Sequence, residues 1–509
     1  MATPTKNILI IAKGVPETFE LTSKKSPVGT LSIIGIACIN DTIAFVGKPA
    51  EAKEFFHDEF LLIDRSDSYV LPGFIDSHSH SFASAKVMKS LDFRIKLNSP
   101  NKSDFLKFLR NENKKIKNKG LLRITGFDEL LNDNNWYPSR HVLDIIAPDN
   151  PLQIIHRTGH ACILNSKALE LCHINDFVYE PKGVFFNRNL DTGSLDGYII
   201  GMNDEIDNFL INYSNPIDKN NLLEWFHSQV ANGITSIVHA DFNSELKDWH
   251  YLFKLVKEND SIPNIIMMES VKSIEGERFP KHDVGSRIKR GHTKIMVKEF
   301  ESIIEDNLKE LNELFHKCIL EDRKVAIHIT TQNTLKIVLD FINTIDQKII
   351  RRIEHAPVIE PGIIKKIASA GVYIVAQPAM MIEANKKYER AINQNELNNF
   401  HPWKTVLELN GFLAFSSDSP VTLSSPLQSI AAASNLRPKN LNYEQRISIV
   451  DAIKAWTING ALANEMNYYG YIKKGFIADI IIVKGEILSN PEKCEVIASV
   501  ISGKLVYSC

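Results

Sequence analysis

The chain has 509 residues, 44% of them hydrophobic and 24% charged, with a formal net charge of −2. That length exceeds what one hydrophobic core usually serves, and near-neutrality without a Lys/Arg block leaves nucleic acid or an anionic membrane little to hold, so a small-molecule partner is expected. No stretch approaches the ~20 apolar residues that span a bilayer, the N-terminal apolar run is too short for a signal-peptide core, and the cysteines lack CxxC spacing, so a cytoplasmic protein with free thiols is expected.

From Leu31 onward, LSIIGIACINDTIAFVG gives two β-rich runs around Asn40-Asp41, a hairpin signal. Near the other end, GYIKKGFIADIIIVKGEIL and VIASVISGKLVYSC have the same character. Residues 1–70 and 465–509 are therefore expected to form one small sheet domain built from both termini.

Between them, short apolar strands alternate with longer helical patterns. The strands read as 69–80 (YVLPGFIDSHSH), 233–241 (GITSIVHAD), 262–270 (IPNIIMMES) and 292–300 (HTKIMVKEF), then 324–330 (KVAIHIT), 349–356 (IIRRIEHA), 371–378 (GVYIVAQP) and 411–420 (GFLAFSSDSP). Eight such units are the pattern of an α/β fold of the (β/α)8 TIM-barrel type, over residues 71–464. About 150 residues separate the first strand from the second, far beyond a usual βα connection, so residues ~100–230 read as an insertion over the barrel mouth. Within it, PLQIIHRTGHACILNSKAL reads as a strand, a turn at Gly159 and a helix capped by Asn165 or Ser166.

In a barrel, catalytic groups project from the C-terminal ends of the strands. The first strand ends in His78 and His80, the fifth in His328, the sixth in His355 and the eighth in Asp418, while the fourth carries Lys294 and Lys298. One histidine at a strand end more often closes a hydrogen bond than binds a metal. Four histidines and an aspartate at equivalent ends of separate strands point instead to one shared centre. His78 and His80 lie two apart and share a strand face, and imidazole with carboxylate suits zinc and related divalent ions. His239 closes the second strand, where a pocket-wall role and a structural role are equally open. Gln377 is a candidate for orienting substrate, and Trp136 and Trp403 either line an apolar pocket or simply pack.

H-x-H after the first strand, a lysine on the fourth, histidines on the fifth and sixth and an aspartate on the eighth resemble the amidohydrolase superfamily. LPGFIDSHSH, HRTGHACILNSKAL, RRIEHAP, VAQP, SSDSPV and TINGALA with GYIKKGFIADIIIV resemble, specifically, amidohydrolase family 3, which includes N-substituted formamide deformylases. The resemblance runs from about Leu31 to Val483 and implies the barrel, a β-sandwich made from both termini, and a metal-dependent hydrolase. It makes His78, His80, His328, His355 and Asp418 metal positions holding one or two ions, zinc foremost. Lys294 matches the lysine that many members carbamylate to bridge two metals; unmodified, its ammonium would repel them. Lys298, four residues on and nearer the strand end, is the rival. His160 in RTGH matches a residue that reaches the active site from the insertion, with a local capping role as the alternative.

The chain departs from the family pattern where Lys298-Glu299 replaces Asp-Gly, where the segment before the fifth strand is short, and where HITTQNT replaces HAIGD, removing an acid beside His328. The resemblance implies hydrolysis of a non-peptide C–N bond, in an N-substituted formamide, amide or cyclic amide, by metal-bound hydroxide with Asp418 as general base and then general acid. A metal-free binding pseudo-enzyme, and a hydrolase or isomerase of another bond such as an ester or lactone, are the rival readings. A homodimer is compatible with all of them.

Overall fold

The computed structural model describes every residue except 1–6, 23–32, 58, 89, 97–100, 117–119, 132–135, 182, 211–212, 214–218, 275, 282–285, 298–303, 343–348 and 424. It divides into two units, one of Met1–His80, Phe226–Asn385 and Ile392–Cys509, the other of Ser81–Trp225 with Lys386–Ala391.

The first unit brings both ends of the chain into one seven-stranded sheet, in the order Lys504–Ser508, Glu495–Ile501, Ile480–Lys484, Leu61–Pro72, Asn7–Gly14, Ile33–Ile39 and Thr42–Gly47. Alternate residues of these strands share a face, so Ile8 and Ile10, Ile34 and Ile36, and Ile480 and Ile482 meet in a single apolar cluster. The expected hairpin turns at Asn40, whose φ of +56° is one that asparagine tolerates better than most residues.

The same unit holds the eight parallel strands read from the sequence: Phe74–Ser79, Ile234–His239, Asn264–Ser270, Ile288–Met296, Val325–Ile329, Ile350–His355, Tyr373–Ala376 and Phe412–Phe415. They form a nearly closed barrel, because the end of the eighth meets the end of the first. The Asp418 N–H donates to the His78 carbonyl and the His80 N–H to that of Ser419, both at 2.8 Å. The fourth strand starts earlier than its apolar run suggests, since the charged Lys289 and Arg290 interrupt the pattern. Lys298 lies outside the described residues. The helix Ile304–Leu320 buries Leu311, Phe315 and Cys318, whose spacing puts them on one face.

Strands enclosed on both sides cannot leave polar groups unpaired. The first barrel strand, FIDSHS, is buried at every position although four of its six residues are polar or ionisable. Its Asp76 and His78 side chains find partners inside the barrel, and those partners define the site.

The second unit carries a six-stranded sheet in the order Phe185–Arg188, Leu195–Ile200, Ala161–Leu164, Leu152–His156, Leu122–Phe127 and Leu91–Asp92. Here PLQIIHRTGHACILNSKAL departs from the expected strand, turn and helix: a second strand, Ala161–Leu164, intervenes after the turn at Gly159. Four apolar residues directly abutting a helix cap carry too little pattern to show as a strand. The cap itself is Asn165, whose Oδ1 accepts from the Ala168 N–H at 3.0 Å and the Leu152 N–H at 2.9 Å, tying helix to strand. Among the described residues no helix is long and apolar enough to cross a membrane. All six cysteines are free, and burial pushes the Cys38 thiol up to about 12, well away from a reactive thiolate.

Candidate metal centre

His78 and His80, on one face of the first barrel strand, direct Nε2 to the same carboxylate oxygen, Asp418 Oδ1, at 3.5 and 3.2 Å. One ligand atom from each of the three lies within 4.8 Å of the others. On the sixth strand, His355 Nε2 is 3.0 Å from His328 Nδ1, and its ring centroid is 5.0 Å from that of His78. Lys294 Nζ stands 3.4 Å from His78 Nε2. The structure thus brings together His78, His80, Lys294, His328, His355 and Asp418, from four barrel strands and the loop after the eighth.

The backbone helps to aim them. His355 has φ +70° and Asp418 φ +54°, left-handed values that cost of order 1–3 kcal/mol and gather at functional positions. Both residues stand where the chain leaves the sheet, and the turn there redirects the side chain.

Each of three histidines has its far nitrogen engaged. His78 Nδ1 meets Glu354 Oε2, and His80 Nδ1 meets Asp241 Oδ1. His355 Nδ1 donates to Gln377 Oε1 at 2.8 Å, an assignment fixed by the Gln377 amide, which donates to Ser416 Oγ and the Val375 carbonyl. All three rings therefore present Nε2 to the shared centre. Gln377 is buried with its polar atoms engaged inside the barrel wall.

Glu354 is gripped in turn by Arg352, at 2.5 Å to Oε1 and 3.0 Å to Oε2, and Arg352 also reaches Asn464 Oδ1 and the Ser77 carbonyl. Asp76 accepts from the Ser417 N–H and hydroxyl, joining the first strand to the approach to Asp418. His239 sits with Nε2 3.2 Å from Asp241 Oδ2.

Burial and the nearby Lys294 ammonium bring the His78 imidazolium down to about 3, against the pull of Glu354. Burial also opposes a charged His80, but Asp241 and Asp418 outweigh it and carry that group up to about 10. Burial lowers the Lys294 ammonium to about 8, with Glu354 and Asp418 opposing. The Asp418 carboxyl would rise on burial, yet His80 and His78 hold it well below the usual carboxylate range. Neutral His78 and His355 beside an ionised Asp418 are the protonation states that a divalent ion asks of its ligands. Imidazole nitrogens turned toward one carboxylate, with their other nitrogens engaged, fit such an ion.

A second group, Asp128, Glu129 and His156, lies in the second unit, with His156 Nε2 3.5 Å from each carboxylate. Lys387 Nζ is already 3.2 Å from Asp128, and burial of that acid is outweighed by His156, Lys387 and Arg157, which draw it to about 2. An ammonium thus compensates that cluster.

His160 lies in the exposed turn of the second unit's hairpin, where its carbonyl accepts from the Gly201 N–H at 2.8 Å. Trp136 packs half-buried in that unit against Phe105, with Lys102 over its ring. Trp403 is buried against Phe415 and stacked by Arg437, so packing accounts for it.

Glu354, Arg352 and Asp241 were not singled out by the sequence pattern. Period-two alternation puts Glu354 and His355 on opposite faces of their strand, and the left-handed backbone of His355 breaks that alternation. Asp241 was open to detection, two positions beyond His239 in GITSIVHAD.

Residues 62–507 match the model of the Amidohydrolase family. The chain is 23% identical over 487 residues to N-substituted formamide deformylase of Arthrobacter pascens, covering 87% of this chain and 88% of that protein. It is 22% identical over 530 residues to Protein LONG AFTER FAR-RED 3 of Arabidopsis thaliana, covering 93% and 88%. Among solved structures, a metal-dependent hydrolase from Pyrococcus furiosus superposes with a TM-score of 0.70 at 20% identity, covering 95% of this chain and 100% of that one, a likeness of fold. The chain belongs to the amidohydrolase family. It is an enzyme, a hydrolase of carbon–nitrogen bonds other than peptide bonds.

Proposed function

We propose that the enzyme hydrolyses an N-substituted formamide, amide or cyclic amide at a divalent metal centre held by His78, His80, His328, His355 and Asp418. The observation that carries this reading is the convergence of the His78 and His80 Nε2 atoms on Asp418, with each Nδ1 engaged by a carboxylate. Similarity to the formamide deformylase supports the choice of substrate class. When bound, the ion would polarise the substrate carbonyl and acidify a water molecule, and zinc is the first candidate for this donor set.

Asp418 is the general base and then the general acid: it accepts the proton of the attacking water and hands it to the leaving nitrogen. Its carboxyl is held well below the usual range, so it stands ionised and ready to accept. His239, His160 and Trp136 keep their expected roles toward the substrate, His160 toward the carbonyl. Gln377 acts by holding the His355 ring rather than by touching substrate, as its engaged amide favours.

Lys294 is the bridging lysine in this reading. Its neutral amine attacks carbon dioxide and releases one proton, giving a carbamate anion in place of a repelling ammonium; burial, by lowering the ammonium to about 8, favours the neutral amine. The same proposal divides the chain into a terminal β-sandwich domain (1–70 and 465–509), a barrel (71–464) and an insertion within it (100–230), in a cytoplasmic enzyme.

The test is a screen of N-formyl amines, cyclic imides and aryl esters with purified, metal-assayed protein. Turnover of the C–N substrates supports the proposal, and turnover of esters alone contradicts it.

A further inference from the structure

The three engaged histidines are not supported alike. His78 and His80 each face a carboxylate, Glu354 and Asp241, whereas His355 faces the neutral Gln377 amide. Any of these acceptors fixes the ring as the Nδ1–H tautomer and stops it turning. A carboxylate also draws the Nδ1 proton toward itself and makes Nε2 a stronger donor, which an amide does more weakly.

Glu354 has no freedom to leave. Arg352 holds both of its oxygens, Asn464 and the Ser77 carbonyl hold Arg352, and the Arg352 and Glu354 side chains are fully buried. The other oxygen of Asp241 lies 3.2 Å from His239 Nε2, nearer the solvent side.

We infer that Glu354 and Asp241 are positioning residues that set, through His78 and His80, how tightly the centre holds a divalent ion, making His78 and His80 its tighter donors and His355 a looser one. The inference rests on the metal-centre reading above. Arg352 belongs to the same device, as the fork that keeps Glu354 ionised and aimed.

The full-length protein, loaded with zinc, is titrated with a chelator, and the concentration that removes half of the ion is compared among wild type, Glu354→Gln, Asp241→Asn and Gln377→Leu. The first two variants keep an oxygen where the carboxylate stood and lose its charge. They are expected to weaken retention by about 10–100-fold, and Gln377→Leu by less than about tenfold. Cobalt-loaded Glu354→Gln and Asp241→Asn should show altered visible absorption, while metal-stripped Asp241→Asn melts where stripped wild type does, which a merely structural role would not allow.

Retention in both carboxylate variants within about twofold of wild type overturns the inference, as does an equal loss in Gln377→Leu. Should Glu354→Gln not fold, Asp241→Asn at the partly exposed position decides alone. A wild-type protein that takes up no stoichiometric zinc rejects the metal-centre reading itself, an outcome distinct from a wild type that binds and variants that bind equally.

Discussion

His78 and Glu354 stand 276 positions apart in the chain and meet as a buried pair, imidazole Nδ1 against carboxylate Oε2. One belongs to the first barrel strand and the other to the sixth, so only the curvature of a nearly closed sheet brings them face to face. Arg352, two residues before Glu354 on the same strand face, supplies the compensating charge from within the barrel. Fold and site are coupled here, since the network that aims a candidate ligand also gives the buried Arg352 and Glu354 side chains their partners.

That coupling has a measurable cost. Arg352→Met leaves the Glu354 carboxylate buried without its guanidinium and is expected to destabilise the protein by about 3–5 kcal/mol, read by urea unfolding of the metal-stripped form. Arg352→Met combined with Glu354→Leu should recover part of that loss, because no lone charge stays buried, yet should not recover metal retention. A single Arg352→Met variant within about 1 kcal/mol of wild type would contradict the account of the pair.

His78→Ala removes a donor and is expected to abolish both metal retention and turnover, whereas His160→Ala should keep the ion and lose rate. Metal analysis beside steady-state kinetics separates them. Full activity in either variant rejects the role given to that residue.

Lys294 carries a prediction of its own. Wild type equilibrated with 13C-bicarbonate should show a carbamate carbon resonance that Lys294→Met lacks, and the variant should hold fewer ions than wild type. A spectrum without carbamate at full metal occupancy would remove the bridging lysine from the site.

The pH dependence of stability can be examined away from the metal. Burial raises the Asp479 carboxyl from 3.8 to about 6, only partly offset by the Ser502 N–H, Arg287, Thr235 and Asn264. A folded value above the unfolded one means that the folded state binds more protons between the two. The penalty for ionising Asp479 is therefore complete above about pH 6 and is relieved as pH falls toward the unfolded value. Lowering the pH from about 7.5 to about 5 should favour wild type over Asp479→Asn by about 1 kcal/mol in paired denaturation curves. A constant difference between the two proteins would refute this.

The eight barrel strands were legible because each is a short apolar run, and the ligand candidates because they are the polar residues that end such runs. The terminal hairpin was legible through Asn40-Asp41, a pair suited to a tight turn. Other features were hidden for local reasons. The left-handed backbone at His355 defeats the alternation that would assign Glu354 to a face, the strand Ala161–Leu164 is too short to read, and Lys289 and Arg290 conceal the start of the fourth strand. The Glu354 partner of His78 depends on which strands face each other across the barrel, a property of the closed sheet rather than of any one segment, whereas Asp241 follows the strand next to that of His80.

The central claim is that this amidohydrolase works through an ion held by His78, His80 and Asp418, and metal content tests it most directly. Elemental analysis of the purified full-length protein should find at least about one equivalent of zinc, iron or manganese per chain, falling together with turnover on chelation and returning with it on reconstitution. A fully active protein with no stoichiometric metal would contradict the account.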